Sequence, residues 1–167
     1  MGTYPGGTVL KLSPTMDTDA YGATDLLFDK QELKNAVGSR GAASLLQNIS
    51  VFDNTATDVD MGILFFDNAT SLGADANDAV TNISDAEFQA AGFIGAVELN
   101  FGEIGFATAN GSIYTSPGNT DKRSGLPLLL QAPSGSTSIW VAAVTLSGTP
   151  TYAADSLDFT FNIQYLG

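Results

Sequence analysis

The sequence predicts an all-β fold, an antiparallel β-sandwich of about eight strands with one short helix near residues 84–91. Residues 157–165 alternate strictly between apolar and polar side chains, which places an apolar row on one face of a half-exposed antiparallel strand. Residues 138–146 are almost continuously apolar and rich in β-formers, as in a central strand covered on both faces. Clusters of Gly, Asn, Asp and Ser separate these segments from the other candidate strands.

Six further apolar segments bounded by turn residues complete the predicted strands. They lie at residues 8–13, 25–29, 43–52, 59–66, 93–99 and 126–131. Residues 53–58 form a polar turn between two of these segments, and we expect that turn to join them as a hairpin. Residues 31–37 fit either the end of a strand or a helical turn.

One helix is predicted from its end signals. Ser84 and Glu87 have the spacing of a capping box, in which the Ser hydroxyl and the Glu carboxylate each bind the backbone N–H of the other residue. Gly92 fits the position just after the helix C-terminus, where a left-handed backbone is common.

The length of 167 residues predicts a single domain, residues 1–167, with an extended N-terminal arm at about residues 1–7. A long loop is expected at about residues 102–125, because five glycines fall there together with two of the six basic residues. The first five residues lack the basic and apolar regions of a signal peptide, and no apolar run approaches the ~20 residues of a membrane helix.

Charge is scarce and strongly one-sided. Charged residues make up 14% of the chain, below the ~25% of an ordinary soluble domain. The net charge is −12, and residues 41–121 contain no Lys or Arg. Nucleic acid and anionic membranes are therefore disfavoured as partners, since both are bound through basic side chains. A solvated acidic face that maintains solubility is favoured over a dedicated cation-binding role.

The sequence lacks the side chains of common active sites. It contains no His and no Cys, so it has no imidazole base for a serine nucleophile and no ordinary ligands for zinc or copper. Paired carboxylates could still hydrolyse glycosides, but the one tryptophan, Trp140, falls in a predicted core strand instead of a sugar-binding cluster. We therefore expect no enzyme activity, no cofactor and no metal.

Two Asp-rich loops raise the possibility of calcium binding. Asp53, Asp58 and Asp60 lie close together in sequence, as do Asp75 and Asp78. Neither group has the alternating ligands, central Gly and terminal Glu of an EF-hand loop. A turn-forming role is favoured, because Asp side chains readily hydrogen-bond to nearby backbone groups.

Four segments resemble, in order, the small capsid decoration or cement proteins of tailed bacteriophages. They are AV (36–37) with GAASLLQNISV (41–51), GLPLLLQA (125–132), STSIWVAAV (136–144) and GTPTY (148–152). These are strand and turn patterns, not a catalytic signature, and the chain departs from the family at residues 102–125. The resemblance implies a jelly-roll sandwich that binds the major capsid protein, stabilises capsomer contacts and catalyses no reaction.

The same resemblance implies a location and partners. The protein would assemble in the host cytoplasm and lie on the outer capsid surface of the virion as a homo-oligomer, with a trimer favoured, bound to neither nucleic acid nor membrane. Lys11, Lys122 and Arg123 flank the acidic stretch and are the candidate capsid or subunit contacts. The alternative is a receptor- or carbohydrate-binding module of a phage tail or fibre, which a cluster of exposed aromatic residues at one end of the sandwich would favour.

Overall fold

Two antiparallel β-sheets pack face to face in the computed structural model, which describes residues 6–116 and 125–166. The strands are β1 (Gly7–Leu12), β2 (Leu26–Leu33), β3 (Ala43–Asp53), β4 (Met61–Phe66), β5 (Phe93–Leu99), β6 (Gly105–Ala107), β7 (Ser112–Ser116), β8 (Leu128–Gln131), β9 (Ile139–Thr145) and β10 (Leu157–Leu166). The helices are α1 (Asp85–Ala90) and the single turn α2 (Phe101–Ile104), with a 3₁₀ turn at Val80–Asn82.

The strand order is that of a jelly roll. The larger sheet runs β1-β10-β3-β7-β6, and β8 pairs with residues 43–46 of β3 beside β7, which pairs with residues 49–53. The smaller sheet runs β2-β9-β4-β5. The chain passes between the two sheets from β1 to β2, β2 to β3, β3 to β4, β5 to β6, β8 to β9 and β9 to β10, as in a double Greek key. The predicted all-β antiparallel sandwich is confirmed.

The alternation in β10 builds the main core. Leu157, Phe159, Phe161 and Ile163 are buried, while the polar residues between them face outward or are half-buried. Phe159 packs edge-on against Phe28 of the smaller sheet at 5.4 Å between ring centroids. Phe161 makes the same kind of contact with Phe65 at 6.1 Å. These aromatic pairs fix the two sheets against each other.

A second apolar cluster covers the outer face of the smaller sheet. Residues 67–92, here called the covering segment, lie over the outward side chains of β2, β4 and β9. The prediction that β9 is covered on both faces is therefore confirmed. Trp140 packs against this second cluster and is only partly buried. The buried members of the cluster are Leu26, Leu64, Phe66, Leu72, Ala74, Ile83, Ala91, Ala142 and Val144.

The predicted helix is confirmed together with both of its end signals. The Ser84 hydroxyl accepts from the backbone N–H of Glu87, and the Glu87 carboxylate accepts from the backbone N–H of Ser84 at 2.8 Å. The Ser84 hydroxyl and the Ser84 backbone N–H both donate to the Glu87 carboxylate, and these two hydrogen bonds lower the pKa of Glu87. Gly92 has φ +70°, and a Cβ at this position would lie 1.7 Å from the Asp67 carboxylate. Gly92 is therefore required both by its backbone conformation and by its close neighbour.

The predicted hairpin across residues 53–58 is wrong. β3 belongs to the larger sheet and β4 to the smaller, so this turn carries the chain across the sandwich. Polar turn residues are compatible both with a hairpin within one sheet and with a crossover between two sheets. The distinguishing feature is burial: β3 has buried residues on one face and half-buried or exposed residues on the other, whereas all six residues of β4 are buried. A strand covered on both faces lies in the sheet beneath the covering segment.

The predicted loop over residues 102–125 is interrupted by regular structure. The end of α2, β6 and β7 lie within it, and residues 117–124, including Lys122 and Arg123, are outside the described residues. The strand β7 escapes detection because its inward positions are Ser112, Tyr114 and Ser116, so the buried row is mostly polar. Hydropathy alternation cannot identify a strand of this kind.

Two smaller predictions are resolved at the ends of strands. In residues 31–37, β2 continues through Leu33 and a turn follows, so the strand-end interpretation is right. The predicted N-terminal arm at residues 1–7 overlaps β1, which begins at Gly7; residues 1–5 are outside the described residues. The single-domain assignment stays a prediction.

Three buried tyrosines predict a loss of stability in alkali. Burial raises the pKa of Tyr21 to about 12 and the pKa values of Tyr114 and Tyr152 above their ordinary value as well. The Tyr114 hydroxyl donates to the Val59 carbonyl at 3.0 Å. Because the unfolded tyrosines ionise at about pH 10, their stabilisation is complete below that pH and is lost as the pH rises toward the folded values.

We expect the free energy of unfolding, measured by urea titration from about pH 8 to about pH 11, to fall steeply above pH ~10. Tyr114→Phe removes one ionising group, so the free energy of unfolding of this variant should fall less steeply over the same interval. Its free energy of unfolding at neutral pH should be lower than that of the parent. Complete tyrosinate absorbance near pH 10 in a protein that is still folded would contradict the burial of these side chains.

Candidate interaction surface

The outer face of the larger sheet is uncovered in the described part of the chain. We call it the open sheet face. Its side chains are the outward rows of β1, β10, β3, β7 and β6, set by strand alternation and by antiparallel register. Its members are Val9, Lys11, Leu45, Gln47, Asn48, Ser50, Phe52, Phe106, Ile113, Thr115, Asp158, Thr160, Asn162 and Gln164.

Side-chain amides form a hydrogen-bonded ladder across the middle of this face. The Asn162 side-chain amide donates to the Asn48 oxygen at 3.0 Å, and Gln47 donates to the Gln164 oxygen at 2.7 Å. The Ser50 hydroxyl also donates to Asn48, at 3.3 Å. These bonds hold the amides in one orientation, so a partner meets a polar surface that is already ordered.

Apolar side chains lie at one end of the open sheet face. Register places Phe52, Ile113 and Phe106 side by side on three adjacent strands. Phe52 is 40% exposed and Phe106 is 56% exposed. A shallow hollow of about 280 Å³ beside Phe52 and Ile113 is also lined by Lys11, Asp158 and neighbouring residues of β3 and β10. This end offers apolar contact area next to two opposite charges.

The two outer faces of the sandwich differ in charge. Of the members of the open sheet face, only Lys11 and Asp158 are charged. The covering segment on the opposite side contains no Lys or Arg. Its acidic residues are Asp67, Asp75, Asp78, Asp85 and Glu87. A partner that binds the open sheet face therefore removes few charges from water, and interface centres are generally poor in charged residues.

The structure locates one of the three predicted contact residues. Lys11 is exposed on the open sheet face, paired across strands with Thr160. Lys122 and Arg123 are outside the described residues, so the structure does not bring the three together. The amide ladder is not among the predicted contacts, although the sequence carries its signal: polar residues alternate with the apolar row of β10.

The first Asp-rich loop is organised by a buried carboxylate. Asp53 is fully buried and accepts hydrogen bonds from the backbone N–H groups of Thr55 and Thr57 at 2.8 and 3.0 Å. Both Thr hydroxyls also donate to it, at 2.5 and 2.6 Å. Such a carboxylate has its acceptor sites filled by the chain itself, which supports the turn-forming role.

The carboxylates of Asp58, Asp60 and Asp78 also accept hydrogen bonds from groups of the chain. Asp60 accepts from the backbone N–H of Phe101 at 2.9 Å, and Asp58 accepts from the Ser112 hydroxyl. Asp78 accepts from the backbone N–H of Asp75 at 2.9 Å. Residues 6–116 and 125–166 contain no group of three or more acidic side chains that could hold a metal ion. Nor does this part of the chain contain a helix long and apolar enough to cross a membrane.

Comparison with known proteins reveals weak similarity to viral coat proteins. The chain is similar to VP2 of the infectious bursal disease virus subviral particle, with a TM-score of 0.39 and 12% identity over 98% of this chain and 33% of that one. It is also similar to Desmodium yellow mottle tymovirus, with a TM-score of 0.29 and 10% identity over 99% of this chain and 83% of that one. The chain spans about a third of the VP2 length.

TM-scores and sequence identities as low as these establish no relationship. The jelly-roll assignment rests on strand order and register. No protein-family model matches the chain. None of the curated proteins matches it either. The resemblance to phage decoration proteins therefore stays a prediction.

Removing the Asp53 carboxylate tests the turn-forming role. Asp53→Ala leaves the donors of Thr55 and Thr57 without their buried acceptor, so we expect the free energy of unfolding to fall by about 2–4 kcal/mol. Asp155→Ala, at an exposed position, should change it by about 0.5 kcal/mol or less. The melting temperature of the unaltered protein should be the same in calcium and in a chelator. A calcium-dependent rise that Asp53→Ala abolishes would contradict this account.

Proposed function

We propose that this protein is a virion structural protein, a capsid decoration or cement protein that binds the outer capsid surface and stabilises contacts between capsomers. The observation that carries the proposal is the open sheet face: a nearly uncharged, ordered surface on a jelly roll whose opposite face is covered and acidic. The weak similarity to viral coat proteins does not support this proposal, because the TM-scores are too low.

The chemistry of the open sheet face suits a broad, shallow contact. Its hydroxyl and amide groups can exchange hydrogen bonds with water for hydrogen bonds with a partner at little net cost. Phe52 and Phe106 supply exposed apolar area at one end of the face, and Val9 supplies more on β1. A cement protein acts through many modest contacts over an area, which such a surface provides without a deep pocket.

The charge asymmetry supports one orientation on the particle. With the open sheet face toward the capsid, the acidic covering segment points to solvent, where its charges stay hydrated and limit non-specific association. Lys11 then faces the shell and can pair with acidic groups of the major capsid protein. Assembly in the host cytoplasm and a trimeric state are parts of this proposal.

Copy number in intact particles distinguishes this function from its alternative. Purified particles of the virus that encodes this protein would be dissociated, and the protein quantified by mass spectrometry against labelled peptides. We expect hundreds of copies per particle. A few copies would instead favour the receptor- or carbohydrate-binding module of a tail or fibre, with Phe52 and Phe106 as the candidate ring surface. Absence from purified particles would refute both functions.

Charge reversal at Lys11 tests the orientation. Lys11→Glu replaces an attraction of about 0.5–1 kcal/mol with a repulsion of similar size, so the Kd for undecorated capsids should rise about tenfold at low salt. The difference should shrink at high salt because screening weakens both effects. Lys34→Glu makes the same change in net charge on the smaller sheet side, where Lys34 pairs with Glu32 at 3.8 Å, and should bind normally. Equal Kd values for both variants would exclude the proposed orientation.

A further inference from the structure

A second concave site lies on the acidic side of the sandwich, away from the open sheet face. It is a cavity of about 560 Å³ between α1 and the start of β5, at the margin of the covering segment. Its lining is mainly aromatic and acidic, and the proposed function makes no use of it. The lining residues are Asp67, Asp85, Phe88, Gln89, Gly92 and Phe93.

The apolar part of the cavity belongs to a cluster of three phenylalanine rings. Phe88 and Phe93 pack edge-on at 5.6 Å between centroids, and each contacts Phe66, at 5.9 and 5.7 Å. Phe66 is fully buried, whereas Phe93 is 46% exposed. A large aromatic side chain that is half exposed in a concave site offers ring surface to a ligand.

A cation of the chain, the Lys30 ammonium, already contacts this ring cluster. The Lys30 ammonium lies 4.5 Å from the centroid of the Phe66 ring. It donates to the carbonyls of Thr70 and Ala91 at 2.7 and 2.9 Å, which ties β2 to both ends of the covering segment. Burial lowers the pKa of Lys30, while the nearby carboxylates of Asp29 and Asp67 oppose that change.

The charges around the cavity leave one carboxylate uncompensated. Asp67 lies near enough to Lys30 that its negative charge raises the pKa of that ammonium, and its carboxylate accepts from the Asn68 side chain at 3.0 Å. Glu87 is turned toward Ser84, whose hydroxyl donates to it at 2.7 Å. Asp85 lines the cavity, and within the described residues its carboxylate has neither a hydrogen bond nor an ion pair. The cavity therefore combines free ring surface with a free negative charge.

We propose that this cavity binds an arginine side chain of a protein partner. The methylene groups and the flat guanidinium would lie against Phe88 and Phe93, and the guanidinium would donate to the Asp85 carboxylate. Arginine suits the site better than lysine because its planar cation stacks on aromatic rings and donates to carboxylates in a fork geometry. A partner with an exposed arginine on a basic surface would also complement the acidic covering segment. This partner is additional to the capsid and does not depend on the proposed function.

The site is formed before any ligand arrives. The capping box fixes the first turn of α1, Lys30 binds the carbonyl of Ala91 at its end, and Gly92 permits the close approach of Asp67. Binding would therefore require little rearrangement of the backbone, which favours affinity.

A short peptide tests the proposal directly. The probe is acetyl-Gly-Arg-Gly-amide, titrated into the full chain while backbone amide shifts are followed by NMR. We expect saturable shifts at Gln89, Gly92 and Phe93 with a Kd near ~1 mM, as for a single side chain. The matching citrulline peptide, which lacks the charge, should bind at least about tenfold more weakly, and the lysine peptide about threefold more weakly.

Paired variants separate the cavity from the general acidic field. Asp85→Asn should raise the Kd for the arginine peptide about threefold or more, whereas Asp75→Asn, with the same change in charge on the same segment, should leave it unchanged. Phe93→Leu keeps an apolar side chain, removes the ring and should also weaken binding. Equal binding of the arginine and citrulline peptides, shifts mapped to another surface, or equal effects of the two Asp variants would overturn the proposal. Each variant is first compared with the parent by circular dichroism and melting temperature.

Discussion

The structure depends on two aromatic contacts across the interior of the sandwich. Phe159 and Phe161 of β10 meet Phe28 and Phe65 of the opposite sheet, and together they fix which face of each sheet is buried. Truncating a buried phenylalanine commonly costs about 3–5 kcal/mol, a large fraction of the ~5–15 kcal/mol that stabilises a domain. Because alternate residues of a strand point in opposite directions, fixing this inner row also fixes the outward row.

The outward-facing side chains of the two sheets differ in polarity. In the larger sheet, β10 carries Asp158, Thr160, Asn162 and Gln164 outward, and these groups are stable in contact with water. In the smaller sheet, β4 and β9 are apolar on both faces, so exposing the outer face of this sheet to water would be unfavourable. The covering segment shields that face from water. The same difference leaves one face of the protein open and neutral and gives the other an acidic surface.

Attachment of the covering segment links stability to the second candidate site. Its helix is held at one end by the capping box and at the other by Lys30, whose ammonium also lies over the Phe66 ring. Gly92 then turns the chain into β5 and brings Phe93 beside Phe88. The groups that close the smaller sheet therefore also shape the aromatic cavity, so changes in this segment can affect both folding and binding.

The sequence by itself determined the elements whose signals are local. Strand β5 was predicted at its observed bounds, and Ser84, Glu87 and Gly92 located the helix, because caps and alternation act over a few residues. The sheet assignment of β3 and β4, the hidden strand β7 and the exposed position of Phe93 were decided only by the tertiary structure. They depend on contacts between residues distant in sequence, and a turn or a polar strand has the same local pattern whichever partner it meets.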